Sequence, residues 1–160
     1  MRPEDVTFII DTREQLPLSL RPFKTETASL TTGDYSVRGL EHLISVERKS
    51  LSDFVQCVGR ERSRFERELQ RLKGFRFGAV CVEASFGSLE AGLWNGRITP
   101  QQAMGSFLSW SANYCQFLLA GDRDGAEKAV AGFLWHASRH MHAELLGFTE
   151  AVRKPETINM

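Results

Sequence analysis

The alternation of apolar and polar positions predicts a strand-rich first half of the chain and a helix-rich second half. Val6 to Ile10 (VTFII) is a compact apolar run that exits into Asp11-Thr-Arg-Glu14, the pattern of a central strand with polar residues at its end. Gln15 to Pro22 carries two prolines and reads as loop. Phe23 to Leu30 alternates as a strand does, and Thr31-Thr-Gly33-Asp34 turns into a short third strand over Tyr35 to Val37. Gly39 marks a hairpin turn, and His42 to Lys49 forms a fourth strand. Ser50 then caps a short helix to Cys57. Gly59 to Lys73 is amphipathic, with Phe65, Leu69 and Leu72 at helical spacing on the buried stripe. Phe77 to Glu83 (FGAVCVE) is a buried strand closing on a carboxylate, and Ser85 to Trp94 is a short helix.

Thr99-Pro100-Gln101-Gln102 is a helix start, with Thr as N-cap, Pro in the first turn and Gln as capping-box partner; this helix runs to about Asn113. Cys115 to Ala120 (CQFLLA) is another buried strand, and Asp122 opens a last helix to about Glu144. Strands linked by hairpins, followed by strands alternating with helices, predict an α/β fold: a central mixed β-sheet flanked by helices. The expected division is one domain over residues 1–147 and a flexible tail over 148–160, which contains Pro155.

Composition narrows the picture mainly by exclusion. The 160 residues are enough for one domain with a real core, and they show no repeat or low-complexity bias. Twenty basic and twenty acidic residues cancel, so any polyanion must be met by local clusters and not by a global field. The three cysteines, Cys57, Cys81 and Cys115, are odd in number and far apart, which fits buried reduced thiols in an intracellular protein. No signal-peptide pattern opens the chain. The charge-free window from Ala103 to Gly121 is interrupted by Ser106, Ser109, Ser111, Asn113 and Gln116 and reads as a helix followed by a strand, so no membrane span is expected.

The chemistry concentrates between Gly33 and Asp53 (GDYSVRGLEHLISVERKSLSD). Side chains alternate along a strand, so Glu47 and Lys49 share one face while Ile44 and Val46 point to the core on the other. Asp34 arrives from the preceding turn, so that two carboxylates and an ammonium can converge. Such a set suits a divalent cation with oxygen ligands and a positive side chain beside it. Each residue also has a purely structural reading. Asp34 can serve as a turn residue, Glu47 and Lys49 as a surface ion pair, and Asp53 as the capping partner of Ser50. Their coincidence on one strand favours a site. Arg60, Arg64, Arg67 and Arg71 form a stripe that is either a solvated face paired with Glu61, Glu66 and Glu68 or a set of phosphate contacts. His136, His140 and His142 lack the glutamate of a metalloprotease motif and are set aside as a zinc site.

Together these residues carry a family resemblance. Asp11, Arg13 and Glu14 after the first strand, Gly33-Asp34-Tyr35, and Val46-Glu47-Arg48-Lys49-Ser50 with Asp53 four residues past the lysine resemble the nuclease domain of XPF-type structure-specific endonucleases. That domain belongs to the PD-(D/E)xK superfamily, with its restriction-endonuclease-like fold. Arg64-Phe65 and Arg71-Leu72 fall where that family places an Arg-rich helix, and Glu83 closes the next strand as the family's own acidic residue does. The likeness runs from about Val6 to Leu119. The tandem helix-hairpin-helix module that usually follows such a domain has no counterpart pattern after the last helix.

The resemblance implies a metal-dependent endodeoxyribonuclease acting on branched, forked or flap DNA, with residues 1–147 as the nuclease domain. Asp34, Glu47 and the main-chain carbonyl of Arg48 would hold Mg²⁺ or Mn²⁺, with Asp11 as a further carboxylate. Lys49 would orient water and steady charge, while Arg48 would anchor the site, through Asp53. Arg13, Arg60, Arg64 and Arg67 would meet DNA phosphates, with Glu14, Asp53 and Glu83 in support. The expected partners are DNA and either a second copy, meeting through Phe107, Trp110, Phe133 and Trp135, or a separate DNA-binding protein, with no membrane. The alternatives are a non-catalytic DNA-binding scaffold partner of such a nuclease, or a restriction- or recombination-type nuclease on the same fold.

Overall fold

The computed structural model describes residues 1–153. After a 3-10 turn over Pro3–Asp5, the strands are β1 (Thr7–Asp11), β2 (Lys24–Ala28), β3 (Tyr35–Val37), β4 (Ile44–Ser50), β5 (Phe77–Glu83) and β6 (Gln116–Leu119). The helices are α1 (Leu51–Val58), α2 (Arg62–Leu72), α3 (Phe86–Ala91), α4 (Pro100–Asn113) and α5 (Arg123–Arg153). The strands form one sheet in the order β2-β1-β3-β4-β5-β6. β3 runs antiparallel to both β1 and β4, whereas β1–β2, β4–β5 and β5–β6 are parallel. The sheet is therefore mixed and helix-flanked, the architecture expected from the residue pattern.

Alternation along the inner strands divides the core into two layers. Val6, Phe8, Tyr35, Val37, Ile44, Val46, Ala79 and Cys81 face α5, whose Ala126, Val130, Leu134 and Ala137 cover them. Val80 and Val82 face the other way, onto Phe54 of α1, Phe65, Leu69 and Leu72 of α2 and Trp110 of α4. Burying this much apolar surface on both sides is what a sheet with helices on each face requires. Because Glu47 and Lys49 are paired in register with Val80 and Val82, they lie on the α2 side, and Arg48, in register with Cys81, lies on the α5 side.

Local signals decide where elements begin. Thr99 Oγ1 accepts from the Gln102 N–H (3.2 Å) and Gln102 Oε1 accepts from the Thr99 N–H (2.9 Å), the reciprocal box its sequence predicts. At α1, Ser50 Oγ accepts from the Asp53 N–H at 3.1 Å. Gly59 separates α1 from α2, so Arg60 lies in the connecting turn and not on the helical stripe expected from its spacing. The last helix runs past Glu144 to Arg153, so residues 148–153 are helical and not a flexible tail. Gly147 only weakens a helix, and the first strong breaker is Pro155. The remainder of the expected tail lies outside the described residues. Among the described residues no helix is long and apolar enough to cross a membrane.

Of the aromatic side chains expected on a dimer face, Trp110 belongs to the interior and the other three pack partly against the core. Trp110 is 1% exposed and packs edge-on against Phe65, with centroids 5.1 Å apart. Phe107, Phe133 and Trp135 are half-buried against the two core layers. Core packing accounts for their helical spacing.

The turn before β3 leaves no room for a side chain at Gly33. Gly33 has φ +79°, and a Cβ there would lie 2.2 Å from Ser45 Oγ and 3.0 Å from the Val46 carbonyl oxygen. Ser45 Oγ donates to the Thr32 carbonyl at 2.9 Å, tying the turn onto β4. Gly33→Ala is therefore expected to destabilise the protein by about 2–3 kcal/mol, from left-handed backbone strain and the clash together. Denaturant unfolding of Gly33→Ala, Ser45→Ala and the double variant separates the parts, and against Ser45→Ala alone the double variant is expected to lose less, by the share of the clash due to Ser45 Oγ.

Candidate active site

Backbone geometry, before any side-chain attraction, places Asp34 against β4. Its N–H donates to the Val46 carbonyl at 2.8 Å, and its own carbonyl accepts from the Asp11 N–H at 2.8 Å. The Arg48 N–H then donates to Asp34 Oδ2 at 2.8 Å. With bonds to the residues on either side of Glu47, Asp34 is held beside that residue where β1, β3 and β4 meet. Glu47 Oε1 accepts from Lys49 Nζ at 2.7 Å. Asp34, Glu47 and Lys49 are thus brought together.

The electrostatics follow from that crowding. Burial and the neighbouring charge of Glu47 push the Asp34 carboxyl up to about 7. Burial also raises Glu47, against the pull of Lys49. For Lys49, burial works against the charged form but the Glu47 carboxylate outweighs it, so the ammonium is held more firmly charged than usual. An excess of buried negative charge beside a fixed cation is what a divalent ion would relieve. Among the described residues no three His, Cys, Asp or Glu side chains form a closed cage. The chemistry of the donor set still fits Mg²⁺, which is commonly held by one or two carboxylates and completes its shell with water and substrate phosphate.

On the opposite face of β4, Arg48 closes a different arrangement. Its Nε and Nη2 donate to the two oxygens of Glu14, each at 3.0 Å, and its Nη1 donates to Glu83 Oε1 at 2.6 Å. Tyr35 Oη donates to Glu14 Oε2 at 3.3 Å while accepting the Leu18 N–H at 3.0 Å. The guanidinium and its two carboxylates are 12%, 7% and 16% exposed, so the clasp is well shielded from water. Glu14 and Glu83 are thus the partners of Arg48, in place of the expected Asp53. Asp53 is occupied at the helix cap, where Ser50 Oγ donates to its Oδ2 at 2.8 Å.

The other predicted residues separate by geometry. Asp11 is 1% exposed and fully engaged: Oδ1 accepts from Arg13 Nε (2.7 Å) and Oδ2 from the Leu30 N–H (2.6 Å). Burial opposes its charge, yet Arg13 holds the carboxyl below its ordinary value. Asp11 is thus the anchor of Arg13, and among the described residues it forms no three-residue group with Asp34 and Glu47 that could hold a metal. Arg13 is 69% exposed and feels the charges of Asp34 and Glu47, which puts it at the rim of the site. Arg60 is tied to Gln56 Oε1 (2.8 Å), Arg64 to Glu61 (3.2 Å), and Arg67 is exposed on α2.

Three neighbours of Lys49 were not foreseen: Glu68, whose Oε2 lies 3.8 Å from Nζ, the Phe65 ring, with Nζ 5.3 Å from its centroid, and buried Cys57. Their spacing on the helices gave no hint, because only the packing of α1 and α2 over the end of β4 brings them in.

The fold and site together define a restriction-endonuclease-like α/β domain bearing a carboxylate pair and a lysine at the end of an inner strand of its sheet. The ERCC4 domain model matches residues 10–119, and the chain belongs to that family. Its fold is similar to XPF from Aeropyrum pernix (TM-score 0.65, 18% identity, 89% of this chain and 69% of that one). It is likewise similar to XPF from Aeropyrum pernix in complex with DNA (TM-score 0.65, 20% identity, 86% of this chain and 66% of that one). The chain thus spans about two thirds of those chains, and no curated protein matches it.

Two outcomes follow for stability. Arg48→Ala leaves Glu14 and Glu83 as buried charges without their cation, and a loss of about 3–5 kcal/mol is expected in denaturant unfolding. For Asp34 the folded state holds its proton more tightly than the unfolded chain, so this group's contribution to stability is lost as pH rises from about 4 through about 7. Asp34→Asn is therefore expected to raise the metal-free unfolding free energy at pH 8 by about 2 kcal/mol or more, and with it the midpoint, with the gain vanishing near pH 4. Thermal unfolding at the two pH values checks this.

Proposed function

We propose that the chain is a divalent-metal-dependent DNA endonuclease that hydrolyses phosphodiester bonds in branched, forked or flap DNA. The observation that carries this reading is the close pairing of Asp34 with Glu47 beside a charged lysine, on the face of β4 opposite the Arg48 clasp. Membership of the ERCC4 domain family supports it. So does likeness in fold to an XPF that has been seen in complex with DNA.

Asp34, Glu47 and the Arg48 carbonyl would hold Mg²⁺ or Mn²⁺. When bound, the ion supplies polarisation of a phosphoryl oxygen and a water acidic enough to ionise near neutral pH. Lys49 is fixed on the same strand face and kept protonated, so it donates: it orients the attacking water and steadies the charge that grows on the phosphate, and it does not accept the proton. Arg13, held by Asp11 and the Leu30 carbonyl (2.8 Å), reaches out from the rim to a flanking phosphate. The Arg48 clasp keeps β1, β4 and β5 in line beneath these groups.

Junction recognition on this reading draws on a second copy or a separate DNA-binding partner. The formal net charge is zero and Arg62 and Arg64 of α2 are paired to glutamates, so no global field draws the chain to one DNA structure. An intracellular setting accords with three unpaired thiols, two of them buried and all raised by burial.

EDTA-sensitive cleavage of flap, fork, Holliday-junction and linear DNA with Mg²⁺ or Mn²⁺ tests the proposal. Asp34→Ala and Lys49→Ala are each expected to lower the rate at least about 100-fold. Cleavage unchanged in both variants, or none by the unaltered chain on any of these DNAs, would leave only a binding or scaffold role.

A further inference from the structure

Beside Lys49, the end of β4 and helices α1 and α2 enclose a polar hollow of about 250 Å³, lined among others by Gln56, Glu61, Arg64, Phe65 and Glu68. The Lys49 ammonium meets Glu47 at 2.7 Å, Glu68 at 3.8 Å and the face of Phe65. Glu68 also faces Arg64, with Oε1 to Nε at 3.7 Å. Their exposures differ in a useful way: 21% for Glu68 and 67% for Arg64. Packing fixes the carboxylate, whereas the guanidinium can swing outward.

On the function proposed above, Glu47 is committed to the divalent ion. Its hold on Lys49 then weakens, and a flexible side chain loses its nearest acceptor. Among the described residues Glu68 is the other carboxylate within ion-pair distance of that ammonium. We propose that Glu68 is the positioning residue of Lys49, keeping the ammonium over Phe65 once Glu47 has turned to the metal. DNA strengthens this hold, because a backbone phosphate that draws Arg64 away leaves both Glu68 oxygens to the lysine. The inference rests on the nuclease reading for its reaction, while its geometry stands on its own.

The direct test follows the Lys49 ammonium by proton–nitrogen correlation spectroscopy of the full chain, titrated with Mg²⁺ alone. Without Mg²⁺ a slowly exchanging Lys49 signal is expected in both the unaltered chain and Glu68→Gln. With Mg²⁺ it is expected to persist in the unaltered chain and to broaden away in Glu68→Gln. In cleavage, Glu68→Gln and Glu68→Ala are expected to lower kcat about 10–100-fold with KM for DNA unchanged, and Glu68→Gln is expected to cost nothing further in a Lys49→Gln background. The signal surviving Mg²⁺ in Glu68→Gln, its loss with Mg²⁺ in the unaltered chain, or an unaltered kcat would each overturn the assignment. Absence of cleavage by the unaltered chain would instead remove the nuclease reading and leave the spectroscopy to decide the role of Glu68.

Discussion

Two carboxylates that repel each other are kept side by side by backbone hydrogen bonds, and most of the surrounding structure serves to hold that arrangement in place. The Asp34 N–H and carbonyl are both engaged, to Val46 and Asp11, and the Arg48 N–H fixes the carboxylate itself. None of these contacts depends on the charge of Glu47. The chain can therefore reach its fold with the repulsion unrelieved, at some cost in stability. Strain of this kind at the point of chemistry is a common way for folds to store selectivity.

β4 separates two tasks by its pleat. The even-numbered Ile44, Val46 and Arg48 look toward α5, with the guanidinium locking Glu14 and Glu83 at the top of an otherwise apolar row. Glu47 and Lys49 look toward α2. Arg48 thus carries a large charge next to the site yet spends it on structure, so the field felt on the other face comes from Lys49 and the rim residue Arg13. The parallel pairing of β4 with β5 puts Glu83 at the matching height, since Ser50 and Glu83 are partners in register.

Much of this was legible in the residues. The alternation of Ile44 to Lys49 gave the two faces of β4, the Thr99 box gave the start of α4, and Gly33-Asp34 gave the turn. Tertiary detail was not. Asp11 reads as one more acid after a strand, and only the approach of Leu30 and Arg13 shows that both its oxygens are taken. Asp53 fits a site motif and a helix cap equally well on paper, and the cap won because Ser50 lies three residues away with extended geometry. Glu68 looked like one member of ordinary helix pairs, because nothing along the chain reports how closely α2 settles on the strand end. The final helix ran on because local propensity ends a helix only where a residue forbids it, and Gly147 does not.

The alternation on β4 also makes the site intolerant of partial folding. A slip of one residue against β5 would carry Arg48 to the face of Asp34 and send Glu47 and Lys49 beneath α5, into an apolar layer with nothing to receive them. Such a misaligned sheet would bury stray charge on both sides at once. Correct alignment of the ladder and the gathering of Asp34, Glu47 and Lys49 are therefore one event, because register alone decides which face of β4 each side chain takes.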